Sequence, residues 1–534
     1  MSIRRTSLSV TLVAGLIVAA CSSGESVITS GNDPDPTVAD EPADEPADDT
    51  GDAGDSGDSG DSDDAGDTGD AGDAGDAGDA GDAGDTTDTT DTTEPDPYAD
   101  LPPCPTEALA DADGVVEITY WHGFNTANEE ALTALTDAYN ASQDRVRVNI
   151  ENQGSYDDTI DEYFQSGDSS RPEIVNFPEY TMQQAIDSGT VLPAGACIQS
   201  SGLDTSTMQP AVLQAYSASD VLWGMPFNVS VPVLYYRMDH VRAAGLDVDD
   251  PPGTFAELRE WSEVLAAELG VYGIAVDSDG DSWGGWFIEE WYAAAGEPFT
   301  DNGNGRSGRS TDVYFDEQFG VDLLTFLQDM IDDELAFYVG DNASGSDHFL
   351  KLADPERPAT MTIGTSAALG TVVAALSGGL VEGLTPDDIG IAPLPSFTDT
   401  KGFFVGGAAN YIVAGKDDVT TAAVWDYLTY LVSAEAQSQW SVDTGYMPLR
   451  ADAIDLEPAK TTFEDDPRYR VAYDSLTGSS ATAGSGPLMG PHRQVRAELA
   501  NAIAAVVTGA DVAASLEAAA TLAEAYLSDY NANN

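Results

Sequence analysis

Three aspartates at alternate positions are the first residues in this chain whose types and spacing could do chemistry. Asp277, Asp279 and Asp281 follow the first half of a calcium-binding loop, in which alternating carboxylates converge on the ion. The twelfth position of that pattern is Ile288, where a bidentate glutamate is required. The sequence therefore predicts a solvated turn at residues 277–281 and no metal site.

Paired carboxylates offer a second kind of chemistry. Glu179, together with Glu289 or Glu290, could supply the acid and the base of a glycoside hydrolase. The sequence contains no nucleophile elbow, no HExxH helix and no phosphate-binding loop. Scattered polar residues without an evident acid and base pair favour a protein that captures a solute without converting it. We therefore expect no enzyme, and a secreted, lipid-anchored glycoside hydrolase is kept as the alternative.

The elements that must position such residues are organised around residues 225–261. Residues 229–235 form an apolar run rich in β-branched and aromatic side chains, which predicts one buried strand. Thr254 and Glu257 have the spacing of a capping box and begin a predicted amphipathic helix at 255–269. A strand that crosses into a new lobe, followed by a loop and a helix, is a hinge-like arrangement.

Strands and helices alternate on both sides of this hinge. Before it, strands are predicted at 115–121, 146–150 and 172–177, and Asn128 is predicted to cap a helix at 129–140. This order implies a parallel sheet flanked by helices. After it, further strands and helices build a second lobe, and strands at 389–394 and 410–413 are expected to lead the chain back. No glycine-rich fingerprint follows the first strand, so no dinucleotide or other cofactor is expected.

The charge of the chain excludes one class of partner. It carries 94 acidic and 20 basic side chains, a formal net charge of −74. Binding to nucleic acid depends on a basic surface that displaces counterions from phosphates. We therefore expect no nucleic-acid partner.

The first hundred residues predict export and a tether. Arg4 and Arg5 precede an apolar segment at 8–20, which is followed by Cys21. This pattern resembles bacterial lipoprotein signal peptides, which implies removal of residues 1–20 and a lipid on Cys21; a plain secretory signal is the alternative.

Residues 22–100 contain 27 acidic residues and no Lys or Arg, in Gly-Asp repeats. Such a segment cannot bury enough apolar surface to fold, so 21–100 is predicted to be a disordered tether.

Two cysteines remain once Cys21 carries a lipid. Cys104 and Cys197 would lie in an oxidising exterior, where a disulfide is predicted, and free buried thiols are the alternative. Two cysteines and four scattered histidines are too few for a metal centre.

Several motifs resemble those of extracytoplasmic solute-binding proteins of bacterial ABC importers, most closely the glycerol-3-phosphate-binding proteins. The hinge stretch Pro226-Phe227-Asn228-Val229-Ser230 carries the first match, and others are Trp121-His122, Gly154-Ser155-Tyr156, Pro178-Glu179-Tyr180, Trp283-Gly284-Gly285-Trp286 and Gly445-Tyr446-Met447-Pro448. The resemblance implies an α/β, two-lobed periplasmic-binding-protein-like fold of type II, with a ligand cleft between lobes joined by a hinge. The bilobal domain is expected at 101–534, with lobe 1 at about 110–230 and 396–432, and lobe 2 at about 231–395 and 433–534.

The resemblance also implies a set of ligand contacts. The positions that match the ligand-binding residues of the family are Tyr156, Glu179, Ser230, Trp283, Trp286, Ser366, Gly407, Tyr446 and Arg496. Hydroxyls, a backbone N–H and a guanidinium suit phosphate oxygens, a carboxylate suits glycerol or sugar hydroxyls, and an indole covers C–H surfaces or a quaternary ammonium. Arg493 is the alternative to Arg496. Val229 and Ala367 replace hydroxyl residues of close relatives, so a neutral sugar stays open as the ligand.

These features together predict a substrate-binding lipoprotein of an ABC importer. Its expected ligand is glycerol-3-phosphate, a glycerophosphodiester or a sugar, which it delivers to the transmembrane permease subunits. It is expected to be a monomer, anchored by lipid to the extracytoplasmic face of the cell membrane.

Overall fold

The computed structural model describes residue 98 and residues 101–124, 126–342, 344–381, 383–397, 403–478 and 486–534. The predicted signal peptide, Cys21 and, apart from residue 98, the acidic tether lie outside the described residues. The strands are β1 (Val116–His122), β2 (Val146–Asn152), β3 (Ile174–Pro178), β4 (Val191–Leu192), β5 (Ser217–Ala218), β6 (Val221–Leu222), β7 (Met225–Ser230), β8 (Pro232–Arg237), β9 (Tyr272–Val276), β10 (Ala336–Tyr338), β11 (Ala359–Thr365), β12 (Ile389–Pro393) and β13 (Gly406–Val413).

The helices alternate with these strands along most of the chain. Those of six residues or more are α1 (Thr126–Ser142), α2 (Tyr156–Gln165), α3 (Met182–Asp187), α4 (Ala194–Ser201), α5 (Pro210–Ala215), α6 (Met238–Ala243), α7 (Phe255–Leu269), α8 (Trp286–Ala295), α9 (Gln318–Asp332), α10 (Asp347–Leu352), α11 (Leu369–Ser377), α12 (Asp418–Leu431), α13 (Ala434–Thr444), α14 (Ala459–Asp465), α15 (Val471–Thr477), α16 (His492–Val506) and α17 (Val512–Asn533).

Two sheets of mixed direction form the centres of two lobes, which confirms the α/β, two-lobed fold. The first sheet has the order β2-β1-β3-β13-β4, and β7 also pairs with β13. β1 runs parallel to β2 and β3, as the β-α-β-α-β pattern predicts, whereas β13 is antiparallel to β3, β4 and β7. The second sheet has the order β10-β9-β11-β8-β12, with β8 antiparallel to both of its neighbours.

The apolar run at 229–235 is two strands, so the prediction of one strand was wrong. β7 ends in the first sheet at Ser230, and β8 begins in the second sheet at Pro232. Proline has no N–H to donate to a ladder, which favours a change of partner at this position. Val231, between the strands, donates its N–H to Ser366 Oγ at 3.3 Å, and its carbonyl accepts the N–H of Ser366 at 2.9 Å. This crossing is the hinge.

The chain returns to the first lobe later than predicted. The strand expected at 389–394 is β12, which pairs antiparallel with β8 and so belongs to the second sheet. Residues such as Ile391, opposite Tyr235, fit the apolar ladder of that sheet. Only the second of the two predicted returning strands, β13, joins the first sheet.

Of the two helix starts predicted from capping residues, the structure confirms that of α7 and contradicts that of α1. Thr254 Oγ1 accepts the N–H of Glu257 at 3.2 Å, and the Glu257 carboxylate accepts the N–H of Thr254 at 3.0 Å, which confirms the predicted capping box. α7 then ends at Gly270, in the left-handed region that glycine favours. The first helix begins at Thr126, so the prediction that Asn128 caps it was wrong; Asn128 lies in its first turn.

The later helices divide between the two sheets. α12 packs on β1 and α13 on α1, beside the first sheet. α15 packs on β8 and β12, while α16 and α17 pack on each other and on α9, beside the second sheet. α13 therefore lies with the first lobe although it follows residue 433, and the lobe boundaries drawn from the sequence stay a prediction.

Cys104 and Cys197 form a disulfide across 93 residues of chain. It joins the segment before β1 to α4. A cross-link over a loop of this length restricts the unfolded chain much more than the folded one.

We expect the double variant Cys104→Ser, Cys197→Ser to lose about 2–4 kcal/mol of unfolding free energy, because the unfolded chain regains that freedom. Guanidinium unfolding of both proteins, with and without a reductant, measures this loss. The reductant should lower the stability of the unmodified chain and leave the variant unchanged. Equal stability of the two proteins in the absence of reductant would contradict the prediction.

Candidate functional site

A cleft lies between the two lobes, beside the hinge. Phe124 and Tyr180 line it from the first lobe, and Asp281, His348 and Thr365 line it from the second. The structure brings seven of the nine predicted ligand-binding residues to its walls: Tyr156, Glu179, Ser230, Trp286, Gly407, Tyr446 and Arg496. Their arrangement follows from the hinge: β7 ends there, β13 begins opposite Ser230, and Met447, in the segment after α13, donates its N–H to Val229.

The other two predicted residues, Trp283 and Ser366, make their contacts with other parts of the protein. Trp283 is buried, and its ring packs against Trp291 with 4.8 Å between centroids. Ser366 is engaged with the backbone of Val231 at the hinge. Neither is among the cleft-lining residues that the structure describes, and their predicted contact with ligand stays a prediction.

Arg496 is the only cationic side chain among the described residues of the cleft wall, and carboxylates surround it. Its Nε and Nη2 donate to the two oxygens of Glu289 at 2.9 and 2.7 Å. Nη2 also donates to Glu179 at 2.9 Å, and Nη1 to Asp281 at 3.2 Å. These bonds use four of the five N–H groups of the guanidinium. The stem of Arg496 passes so close to Gly285 that a Cβ there would lie 2.7 Å from Arg496 Cγ.

The three carboxylates around Arg496 differ in pKa. Burial would raise the pKa of Glu289, but Arg496 and His492 outweigh it and hold that pKa well below its usual range. Burial raises the pKa of Glu179 to about 7, although Arg496 opposes it. Burial and neighbouring Asp279 raise the pKa of Asp281 to about 7. Glu289 is thus the fixed counter-ion of Arg496, and the other two carboxylates exchange protons near neutrality.

Arg493, the alternative to Arg496, lies elsewhere. It donates to Asp157 and Asp161 on α2, each at 2.9 Å, and is not among the described residues of the cleft wall. Because α2 belongs to the first lobe and α16 to the second, this pair bridges the lobes outside the cleft.

A buried chain of amides positions Tyr156. Asn228 Nδ2 donates to the Tyr156 hydroxyl at 2.7 Å, and Asn176 Nδ2 donates to Asn228 Oδ1 at 3.2 Å and to Asn410 Oδ1 at 2.9 Å. The Tyr120 hydroxyl also donates to Asn410 Oδ1, at 2.6 Å. The four residues behind Tyr156 come from neighbouring strands of the first sheet, so the rigid sheet fixes this cleft hydroxyl.

Backbone geometry explains Gly407. Its φ is +98°, and a Cβ there would lie 2.0 Å from the carbonyl oxygen of Asn228. Only glycine allows this approach of β13 to β7. Next to it, a Cβ on Gly406 would lie 2.4 Å from the Trp286 ring, so the glycine pair also makes room for that indole.

The aspartate loop is not the solvated turn expected from the sequence. Asp277 is fully buried; its Oδ1 accepts a hydrogen bond from the Ser282 hydroxyl and the N–H of Asp279. Asp279 and Asp281 line the cleft. Within the described ranges, no three His, Cys, Asp or Glu side chains are grouped to hold a metal ion.

The chain also matches known proteins in sequence. A family model described as bacterial extracellular solute-binding protein matches residues 134–470. The chain belongs to this family. It is 26% identical over 372 residues to the sn-glycerol-3-phosphate-binding periplasmic protein UgpB of Escherichia coli O6:K15:H31, covering 68% of this chain and 81% of that protein. The same protein of Yersinia pseudotuberculosis is 26% identical over 409 residues, or 75% of this chain and 89% of that protein.

Solved structures show the same fold. UgpB from Mycobacterium tuberculosis, in complex with glycerophosphocholine, has a TM-score of 0.63 at 19% identity and covers 78% of this chain and 99% of its own. The sugar-binding protein MalE from Xanthomonas citri has a TM-score of 0.65 at 15% identity, covering 78% and 98%. This solute-binding protein therefore has the two-lobed fold of both.

Sequence reasoning missed several residues of the site of this solute-binding protein. Asp281 was weighed only as a calcium ligand, and its bond to Arg496 depends on a loop that no periodicity describes. His348 carried no signal, because a lone histidine after a polar stretch of sequence matches no functional motif. Asn176 and Asn228 had one available signal: an amide inside a wholly apolar strand must find a hydrogen-bond partner.

The part of the chain that the structure describes contains no helix long and apolar enough to cross a membrane.

We expect the stability of the protein to fall as pH rises from about 5 to about 7. Glu179 has a raised pKa, so over this window the folded chain holds a proton that the unfolded chain has released. The loss amounts to at most about 1.4 kcal/mol per pH unit for one group. Urea unfolding of the unmodified chain and Glu179→Gln at pH 5, 6, 7 and 8 measures it.

The Glu179→Gln variant should show a smaller slope, since the amide does not titrate. Glu263→Gln is the matched control, because Glu263 lies on α7 with 55% of its side chain exposed. Identical slopes in the unmodified chain and Glu179→Gln would contradict the assigned protonation.

Proposed function

We propose that this chain captures a small polyhydroxylated solute outside the cytoplasm and delivers it to the permease of an ABC importer. The candidates are glycerol-3-phosphate, a glycerophosphodiester and a sugar. The observation that carries the proposal is the convergence of seven residues, expected from the family resemblance, on one cleft between two hinged lobes. The glycerol-3-phosphate-binding and sugar-binding relatives support the same class of ligand.

The cleft wall suits hydroxyl groups. Glu179 and Asp281 are acceptors, Ser230 and Tyr156 supply hydroxyls, and Trp286 offers an aromatic face for C–H surfaces. An arrangement of acceptors, hydroxyls and one indole binds polyols by hydrogen bonds and stacking. It needs no chemical step.

Binding of an anionic ligand in this cleft requires that Arg496 first lose one of its carboxylate partners. Four N–H groups of Arg496 already bind carboxylates, so a phosphate gains a bidentate contact only where Glu179 or Asp281 releases its bond. Both have a pKa of about 7, and protonation of either removes the competing charge. Phosphate binding is therefore coupled to proton uptake, whereas binding of a neutral sugar is not.

Capture follows from the two lobes. A ligand that contacts Tyr156 or Ser230 in the first lobe and Asp281 or Arg496 in the second binds the closed arrangement more tightly than the open one. It thereby shifts the population towards closure about Val231. The closed shape is what the permease recognises.

The anchor and the tether complete the proposal. Lipid on Cys21 holds the monomer at the extracytoplasmic face of the membrane. Residues 22–100 give it reach, since about 80 flexible residues span roughly 50 Å and like charges extend them further. Ligand and permease are then the partners, and nucleic acid is not.

The hydrolase alternative gains no support from the site. Glu289 is buried against Arg496 and His492, at 2.7 and 2.8 Å. Glu290 is fully buried, accepting from Trp286 Nε1 and from the N–H of Phe404. Neither is among the described cleft-lining residues, and the carboxylate oxygens of both are occupied by other partners.

We expect the full chain to bind at least one of glycerol-3-phosphate, glycerophosphocholine and maltose in titration calorimetry, and to become more compact in small-angle X-ray scattering. Ser230→Ala should weaken that binding about tenfold, because it removes a hydroxyl from the cleft. Ser475→Ala, on α15 and outside the cleft wall, is the matched control. Failure of all three ligands to bind, or turnover of a glycoside, would contradict the proposal.

We expect the affinity for glycerophosphocholine to fall as pH rises from 6 to 8, by up to about tenfold per pH unit above 7 for one linked proton. Its phosphodiester keeps one charge throughout this range, so the change reports on the protein. Maltose affinity should stay level. A flat profile for the phosphodiester would contradict the competition between ligand and carboxylates for Arg496.

A further inference from the structure

His348 is a buried imidazole in the wall of the cleft. It is 5% exposed and lies near the start of α10, which packs on β9 and β11 of the second sheet. Neither of its ring nitrogens has a hydrogen-bond partner among the described residues. Buried polar atoms of a folded protein are nearly always paired, so each exception requires an explanation.

Asp277 supplies half of the explanation. Its Oδ2 lies 3.4 Å from His348 Nδ1 and has no other partner in the described part of the chain. Its Oδ1 is held by Ser282 and by the N–H of Asp279, so the carboxylate cannot turn away from the ring. A shift of a few tenths of an ångström brings the two atoms to hydrogen-bond distance.

The protonation states fix the role of the ring. Burial lowers the pKa of His348 to about 4, and burial raises the pKa of Asp277 to about 6. At pH 7 the imidazole is neutral and the carboxylate is charged. Nδ1 then carries the proton and faces Asp277, which leaves Nε2 as a hydrogen-bond acceptor. A neutral acceptor attracts a hydroxyl group and gives a phosphate no charge to pair with.

We propose that His348, oriented by Asp277, contacts the ligand from the second lobe, where Nε2 accepts a hydrogen bond from a hydroxyl group of the solute. The inference rests on the proposed function and narrows it, since it requires a ligand that presents a hydroxyl to the second lobe. A solute held by His348 and by Ser230 of the first lobe also joins the two lobes, which makes this contact a determinant of both specificity and closure.

Titration calorimetry of the full chain with glycerol-3-phosphate, glycerophosphocholine and maltose tests this contact. His348→Phe keeps an aromatic ring but has no nitrogen, so it should weaken binding about ten- to a hundredfold. His348→Gln keeps an acceptor and should retain more affinity than His348→Phe. The matched control is His240→Gln, because His240 pairs with Thr360 on β11 and is not among the described cleft residues.

Deoxy analogues of the ligand that binds locate the hydroxyl. Removal of the contacted hydroxyl should weaken binding to the unmodified chain and have little further effect on His348→Phe. Nitrogen-15 NMR provides a readout that a purely structural role would not change. The chain has four histidines, so single substitutions assign each ring. The Nε2 signal of His348 should shift on saturation with ligand, and that of His240 should not.

The outcomes separate this inference from the function on which it rests. Absence of binding by the unmodified chain to all three ligands would overturn both. Binding by the unmodified chain with unchanged affinity in a folded His348→Phe variant would overturn this inference alone. So would a His348 signal that does not move when the protein is saturated.

Discussion

The ion pair between Arg496 and Glu289 is the interaction on which the rest of the cleft depends. Both side chains are almost fully buried, and two parallel N–H to oxygen bonds join them. Two charges removed from water are tolerated only when their mutual geometry and their remaining bonds are good. The further bonds of Arg496 to Glu179 and Asp281 meet that requirement and, at the same time, connect the second lobe to the first. The charge pair thus sets both the position of the cation and the acidity of its neighbours.

The hinge places this cluster between lobes that can move. Only Val231 separates the last residue of β7 in one sheet from the first residue of β8 in the other. Ser366 on one side and Met447, whose N–H donates to Val229 at 3.1 Å, on the other hold the crossing in place. A short, well-bonded crossing allows rotation with little change in the lobes themselves. The proposed ligand contacts lie on both sides of it, so a ligand that made them would act directly on the opening of the cleft.

Charge sets the chemistry of capture. The chain is strongly acidic, with a formal net charge of −74, and the cleft contains more carboxylates than cations among its described residues. The negative electrostatic potential of such a surface repels anions that approach it. Under the proposed function, a site rich in acceptors, with a cation that is already paired, selects hydroxyls first and accepts a phosphate through proton uptake. The buried imidazole of His348 adds another acceptor to the same wall.

The sequence by itself determined the class of fold, the hinge stretch and seven of the cleft residues. Local rules were sufficient for helix α7, whose capping box involves residues three apart. The motifs that resemble the family identified nine residues, and the fold brings seven of them to the cleft wall. Each of these signals lies within a few residues of chain, which is the range over which propensity and spacing carry information.

Only the tertiary structure decided which charged side chains pair with one another and which carboxylates have raised pKa values. Glu289 and Arg496 are 207 residues apart, and Asp277 and His348 are 71 apart, so no local pattern records either pairing. The sequence also did not show that residues 229–235 are divided between two sheets, because an apolar run has the same pattern whichever sheet it joins. The raised pKa values of Glu179 and Asp281 arise from burial in the assembled cleft. Burial, and contacts between charged residues that are far apart in the sequence, arise only when the chain packs. No local sequence pattern therefore gives the distances between such residues.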